Sequence, residues 1–260
     1  MAYEFVTVER DGPLTLVTMN RPQVFNALHK PAHLEMEKVF DAFEADPDQW
    51  VCVLTGAGDK AFSAGNDLKY TAAGGERGWG RSGFGGITQR FDSTKPIIAA
   101  VNGFAMGGGF EIALSCDLIV AAENATFALP EPSVGLAAMA GGLLRLPRVI
   151  GEKRAMGMIL TGRRVGPQEG KELGFVNEIA PTGKAVEVAK ALALKICELS
   201  PMSIRASKQT VVKSLQTPSV EQAFKEQESY SAVQAMFKSA DLIEGPKAFA
   251  EKRKPVWKGR

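Results

Sequence analysis

The chain has 260 residues, of which 45% are hydrophobic and 23% charged; this fits one large globular domain, or a domain with an appendage, and excludes wholesale disorder. Lys and Arg number 31 against 29 Asp and Glu, a net charge of +2, too balanced a field to argue for a nucleic-acid partner. The N-terminus lacks the basic flank and apolar run of a signal peptide, and no apolar stretch approaches the roughly 20 residues of a membrane span, so a cytoplasmic protein with no membrane partner is expected.

In chain order, residues 5–8 and 14–19 are β-rich runs split by Asp11-Gly12-Pro13, which predicts a hairpin. Residues 32–43 carry Leu34, Met36, Val39, Phe40 and Phe43 at helical spacing. A continuous apolar run at 51–55 predicts a strand buried on both faces. Residues 74–86 form a glycine-rich loop. A second buried strand follows at 97–101, turned by Asn102-Gly103, and Gly107-Gly108-Gly109 opens an apolar helix over 110–116. Residues 118–122 read as another strand, and 151–161 and 166–173 as short helices ended by glycine. Beyond about residue 184 only helices are expected: 185–199, 201–215, 218–236 and 240–253. Strand–helix alternation followed by helix alone argues for an α/β core with a helical C-terminal section.

The scarce residues narrow the chemistry. Cys52, Cys116 and Cys197 are widely spaced in apolar runs, forming neither a disulfide framework nor a CxxC metal site; they read as buried hydrophobes in a reducing compartment. The two histidines, His29 and His33, are separated by Pro31 and lack the HExxH order. They read as a loop residue and the exposed face of a helix, and no metal is expected. Gly78 to Gly83 match GxGxxG letter for letter, without the strand that a dinucleotide fold requires. Ser63 lacks the first glycine of GxSxG and any downstream histidine. An enzyme with this composition that moves protons would use carboxylates.

Two segments share one design. Residues 60–68 follow the strand at 51, and residues 102–111 follow the strand at 97; each runs through small residues toward a helix start. Helix N-termini present unpaired N–H groups and partial positive charge. Two such groups aimed at one point make an oxyanion hole; tight helix–strand packing is the other use of the same glycines. Glu111 and Glu131 interrupt apolar segments. Desolvation raises a carboxyl pKa toward neutrality, which suits acid–base work beside a carbonyl; both could instead be capped by backbone N–H groups.

These residues resemble the crotonase (enoyl-CoA hydratase/isomerase) superfamily along nearly the whole chain. The resemblance is carried by Asn20-Arg21-Pro22 with Asn26-Ala27-Leu28, by 61–68, 95–103 and 107–111, by Ala128-Leu129-Pro130-Glu131, and by 141–147. The tail at 244–260 is most like the carnitinyl-CoA dehydratase branch. The resemblance implies an α/β fold: a crotonase-type spiral of ββα units over residues 1–199 and a helical trimerisation region over 200–260, assembled as a homotrimer or dimer of trimers. It implies an acyl-CoA thioester substrate, with CoA part of the substrate and no separate cofactor. The backbone N–H groups of Asn66 and Gly108 would hold the thioester oxygen, and Glu111 and Glu131 would handle the protons. The CoA arm would lie along Ala27, Ala64, Asp67, Leu68 and Lys69, with Phe249 and Lys252 from a neighbouring subunit. An enoyl-CoA hydratase is the leading expectation. Alternatives are a carnitinyl-CoA dehydratase, an enoyl-CoA isomerase, and a non-catalytic acyl-CoA- or RNA-binding member. Residues 136–142 offer neither a carboxylate nor an aromatic cage for a quaternary ammonium, which predicts an apolar acyl pocket. The loop at 71–86, with Trp79 and Phe84, is expected to close over the acyl end.

Overall fold

The computed structural model describes residues 3–260. β1 (Val6–Asp11) and β2 (Leu14–Met19) form an antiparallel hairpin. After α1 (Lys30–Ala45) come three strand pairs: β3 (Val51–Gly56) with β4 (Ala61–Ser63), β5 (Ile97–Val101) with β6 (Phe104–Met106), and β7 (Leu118–Ala122) with β8 (Thr126–Ala128). The first strand of each pair joins a six-stranded sheet completed by β9 (Glu178–Ala180), in the order β1-β2-β3-β5-β7-β9; the second joins a three-stranded parallel sheet, β4-β6-β8. Each pair moves one position along both sheets. α2 (Leu68–Ala72) follows the first pair, α3 (Gly108–Ala113) the second, and α4 (Gly142–Ile150) the third after a loop. The result is the expected ββα spiral.

The continuous apolar strands are explained by what covers the large sheet. Cys52 and Leu54 face a core shared with α1 and the small sheet, which contributes Phe62 and Phe127. Val51 and Val53 face the opposite side. There α7 (Ala185–Cys197) lays Ala185, Ala189 and Ala193 against Ile98 and Val120; alanines four residues apart form one flat stripe that lets helix and sheet approach closely. α5 (Glu152–Thr161) and α6 (Pro167–Leu173) connect the spiral to β9.

The final section contains α8 (Pro201–Ser214), α9 (Val220–Glu226), α10 (Ser231–Phe237) and α11 (Ala240–Ala250). The single helix expected over 218–236 is divided in two. The Ser219 hydroxyl accepts from Gln222 N–H to start α9, and Tyr230 takes an extended conformation that buries its ring with Ala206 and Val233. Side-chain burial outweighs helix continuity here. α4 and the three-residue strands β4, β6 and β8 have no counterpart in the sequence reading. No helix among the described residues is long and apolar enough to cross a membrane.

Candidate active site

The site starts with the chain leaving β4. Ala64 N–H donates to Phe25 O at 2.9 Å, Leu28 N–H to Gly65 O at 2.8 Å, and Asp67 N–H to Leu28 O at 2.8 Å. These bonds occupy the backbone on both sides of Asn66 and leave its own N–H without an acceptor among the described residues. The chain leaving β6 does the same by a different route. Gly107 N–H donates to Ala128 O at 2.9 Å. Gly108 is the first residue of α3, so its N–H has no intrahelical partner. The two segments touch: a Cβ on Gly65 would lie 2.8 Å from Gly108 N, and one on Gly109 would lie 2.1 Å from Ser63 O. Gly65 also has φ +85°, so glycine is required twice over. Asn66 and Gly108 line one cavity of about 680 Å³.

Glu111, in the first turn of α3, opens into the same cavity and is 3% exposed. Burial pushes its pKa up to about 7. The Gly142 N–H, which donates to Oε1 at 2.8 Å, opposes that rise, and the Glu131 charge adds to it. Glu131 follows β8 and begins a single 3-10 turn, Glu131–Val134. Its Oε1 lies 2.7 Å from where a Gly107 Cβ would stand, so Gly107 leaves room for the carboxyl beside the peptide that carries the Gly108 donor. Its Oε2 is buried with no hydrogen-bond partner, and burial raises its pKa too. A buried acceptor left unpaired is costly, which marks a place for a reacting group or water. Two free donors and two desolvated carboxyls thus face one space.

Of the residues expected along the CoA arm, Ala64 and Leu68 line this cavity, whereas Ala27, Asp67 and Lys69 do not. Asp67 is a buried structural link. It accepts from Arg21 Nη1 at 2.9 Å and from Tyr70 N–H at 3.0 Å, capping α2. Burial opposes its ionisation, but the Tyr70 N–H and the Arg21 guanidinium outweigh burial and hold it below the usual carboxylate range. Phe249, on α11, is 88% exposed, Lys252 is exposed beyond it, and neither lines the cavity of its own chain.

The histidine expectation is corrected. His33 is 1% exposed rather than on an outer face, and its Nδ1 accepts from Gly85 N–H at 3.0 Å. His29 is buried between the rings of Phe5 and Tyr70 and reaches the cavity. The expected apolar lining is present but is not the whole of the wall. Residues 136–140 do supply Leu136, Ala137, Met139 and Ala140, but Tyr70, Glu76, Arg77 and Trp79 from α2 and the glycine-rich loop form other parts of the wall. Glu76 is paired with Lys30 across it. Ser63 is buried, donating to Asn26 O at 2.8 Å and accepting from Gly65 N–H at 3.1 Å, a structural role. Gly142 as the partner of Glu111 was missed; the Gly141-Gly142 pair before an apolar run was its only signal. Among the described residues no group of three or more His, Cys, Asp or Glu could hold a metal ion.

Paired backbone donors with paired buried carboxyls, set at the exits of a ββα spiral, define a site for acid–base chemistry next to a polarised carbonyl. The chain belongs to the enoyl-CoA hydratase/isomerase family, whose profile matches residues 9–260. It is 42% identical over 261 residues to the carnitinyl-CoA dehydratase of Escherichia coli strain K12, covering 99% of each chain. Among solved structures it resembles an enoyl-CoA hydratase from Mycobacterium tuberculosis H37Rv, with 40% identity, TM-score 0.92, and coverage of 98% of this chain and 99% of that one. It also resembles a carnitinyl-CoA hydratase from Mycobacterium avium, with 39% identity, TM-score 0.77, and coverage of 98% and 99%.

Proposed function

We propose that the protein is an enoyl-CoA hydratase, adding water reversibly and syn across the double bond of a trans-2-enoyl-CoA thioester. The observation that carries this reading is the convergence of the Asn66 and Gly108 N–H groups with Glu111 and Glu131 on one cavity. In the forward direction Glu111, as carboxylate, takes a proton from water while the hydroxyl oxygen bonds to the β-carbon. The electron pair of the double bond moves onto the thioester oxygen, held by the two N–H donors. Glu131, as acid, then delivers a proton to the α-carbon. One carboxyl gains a proton and the other loses one, and exchange between them or with solvent resets the pair. Mutual repulsion favours one proton shared between the two, so they titrate as a unit. A pKa raised to about 7 lets Glu111 act in either direction near neutral pH.

In this reading CoA enters as part of the substrate, and no separate cofactor takes part. Its arm runs along Ala64 and Leu68, with Ala27, Asp67 and Lys69 supporting that wall. Phe249 and Lys252 reach the CoA of a neighbouring subunit in a homotrimer or dimer of trimers. The exposed apolar side chains of the helical section, Leu215, Phe224, Ile243 and Phe249 among them, support such an assembly. The protein is proposed to act in the cytoplasm.

The test is loss of the conjugated-thioester absorbance of crotonyl-CoA on addition of the protein, with Glu111→Gln and Glu131→Gln beside it. Bleaching by the native chain and loss in both variants supports hydration. No bleaching of crotonyl-CoA or longer enoyl thioesters refutes the plain hydratase. The second reading is the carnitinyl-CoA dehydratase, favoured by the presence of Trp79, Tyr70 and Glu76 in the cavity wall, since aromatic rings and a carboxylate suit a quaternary ammonium. Turnover of crotonobetainyl-CoA in preference to crotonyl-CoA would select it.

A further inference from the structure

The hydratase mechanism leaves one buried histidine unused. His33, on α1, has a lone pair on Nδ1 that accepts the Gly85 N–H, so its ring proton sits on Nε2. Burial pushes its pKa down to about 3, keeping the ring neutral at working pH. Its ring centroid is 4.3 Å from that of Phe84. Phe84 in turn abuts the oxyanion donor: a Cβ on Gly108 would lie 2.5 Å from Phe84 Cζ. Trp79 also packs on Phe84, edge to face, with ring centroids 6.0 Å apart, and Phe84, Trp79 and Gly108 all line the cavity. The turn is held on further sides. A Cβ on Gly86 would lie 2.4 Å from Glu37 N of α1, Ser82 N–H donates to Glu37 Oε2 at 2.6 Å, and Arg145 of α4 donates to Thr88 O at 2.8 Å.

We propose that His33 is a positioning residue for acyl recognition: by accepting the Gly85 N–H it fixes the Phe84 ring against Gly108, so that Phe84 walls the cavity beside the thioester site and selects short acyl groups. The Gly85 N–H is buried, and without its acceptor the turn has reason to move toward water, taking Phe84 with it. The selectivity claim rests on the hydratase reading; the placement of Phe84 does not.

His33→Phe keeps an aromatic ring and removes the acceptor, whereas His33→Asn places an acceptor the same number of bonds from Cβ. Turnover of crotonyl-CoA and trans-2-decenoyl-CoA is compared, together with binding of butyryl-CoA and decanoyl-CoA by calorimetry. In His33→Phe, kcat/KM for crotonyl-CoA is expected to fall about tenfold and the decenoyl-to-crotonyl ratio to rise about tenfold. His33→Asn should restore both to within about threefold. Phe84→Leu should reproduce the ratio change, and joining it to His33→Phe should add little. An unchanged ratio in His33→Phe, equal losses on both thioesters, or full additivity with Phe84→Leu overturns the proposal. Should His33→Phe fail to fold, an unchanged ratio in Phe84→Leu overturns it instead. If the native chain turns over neither thioester, the hydratase reading fails on its own account, and the ratio of butyryl-CoA to decanoyl-CoA binding still decides the role of His33.

Discussion

Replacing Glu111 by Gln should destroy activity and stabilise the protein, the second effect growing above pH 4.5 and complete above about pH 7. Glu111 is 3% exposed and its pKa is raised from 4.5 to about 7, chiefly by burial. Below pH 4.5 the carboxyl is protonated in both folded and unfolded chains, and its burial as a neutral group costs nothing through titration. Between pH 4.5 and 7 the unfolded chain releases this proton while the native chain retains it, so stability falls as pH rises. Above about 7 the native carboxyl is ionised as well and the loss is complete. A displacement of this size corresponds to roughly 3 kcal/mol. Because Glu131 shares the coupling, a gain of about 1–3 kcal/mol is expected for Glu111→Gln at pH 8, with little change near pH 4.5. Gln retains an oxygen for the Gly142 N–H. Urea unfolding of native and variant chains at the two pH values measures the difference. Crotonyl-CoA turnover should fall roughly 10²- to 10⁴-fold in the same variant. An equal stability change at both pH values would refute the argument, because the charge contributes only above pH 4.5.

In the native chain, kcat/KM should rise with pH through about 7 as Glu111 ionises; a flat profile from pH 5 to 8 counts against Glu111 as the base. Glu131→Gln should abolish exchange of the α-proton of butyryl-CoA with deuterated water, read by proton NMR, because its unpartnered Oε2 is the group assigned to that proton. Gly65→Ala places a methyl 2.8 Å from Gly108 N at φ +85°; kcat should fall about 10²- to 10³-fold with a smaller change in KM, as for loss of one oxyanion donor. Arg21→Met strands the buried Asp67 carboxylate and should cost about 3 kcal/mol at pH 7 by urea unfolding. Because the Asp67 pKa is held down in the native chain, that cost should shrink as pH falls below its unfolded value.

The large sheet was legible because its strands are long and apolar enough to show their character: β3, β5 and β7 all fall where the runs at 51, 97 and 118 put them. β4, β6 and β8 were not, because three residues are too few for any period and their ladder partners lie in one another, far apart in the chain. Glu111 and Glu131 stood out as charges among apolar neighbours. What a sequence does not display is which backbone N–H remains unpaired. That of Asn66 is free only because Leu28, 38 positions earlier, takes the bonds on either side. His33 was misread for a related reason. Its neighbour Leu34 is 37% exposed while His33 is buried, because the turn at Gly85 supplies a donor that no helical pattern reveals.

The small sheet therefore explains the site better than any motif does. β6 is its central strand, with β4 and β8 parallel on either side, so all three exit in the same direction and at neighbouring positions. The exit of β4 presents the Asn66 N–H, the exit of β6 presents the Gly108 N–H and then Glu111 in the first turn of α3, and the exit of β8 presents Glu131. The bond from Gly107 N–H to Ala128 O ties the second exit to the third, and the contact of Gly65 with Gly108 ties the first to the second. Each turn of the spiral adds one strand to this short sheet and one functional group to its edge. The same repetition that fills the core thereby brings together groups from positions 66, 108, 111 and 131 of the chain.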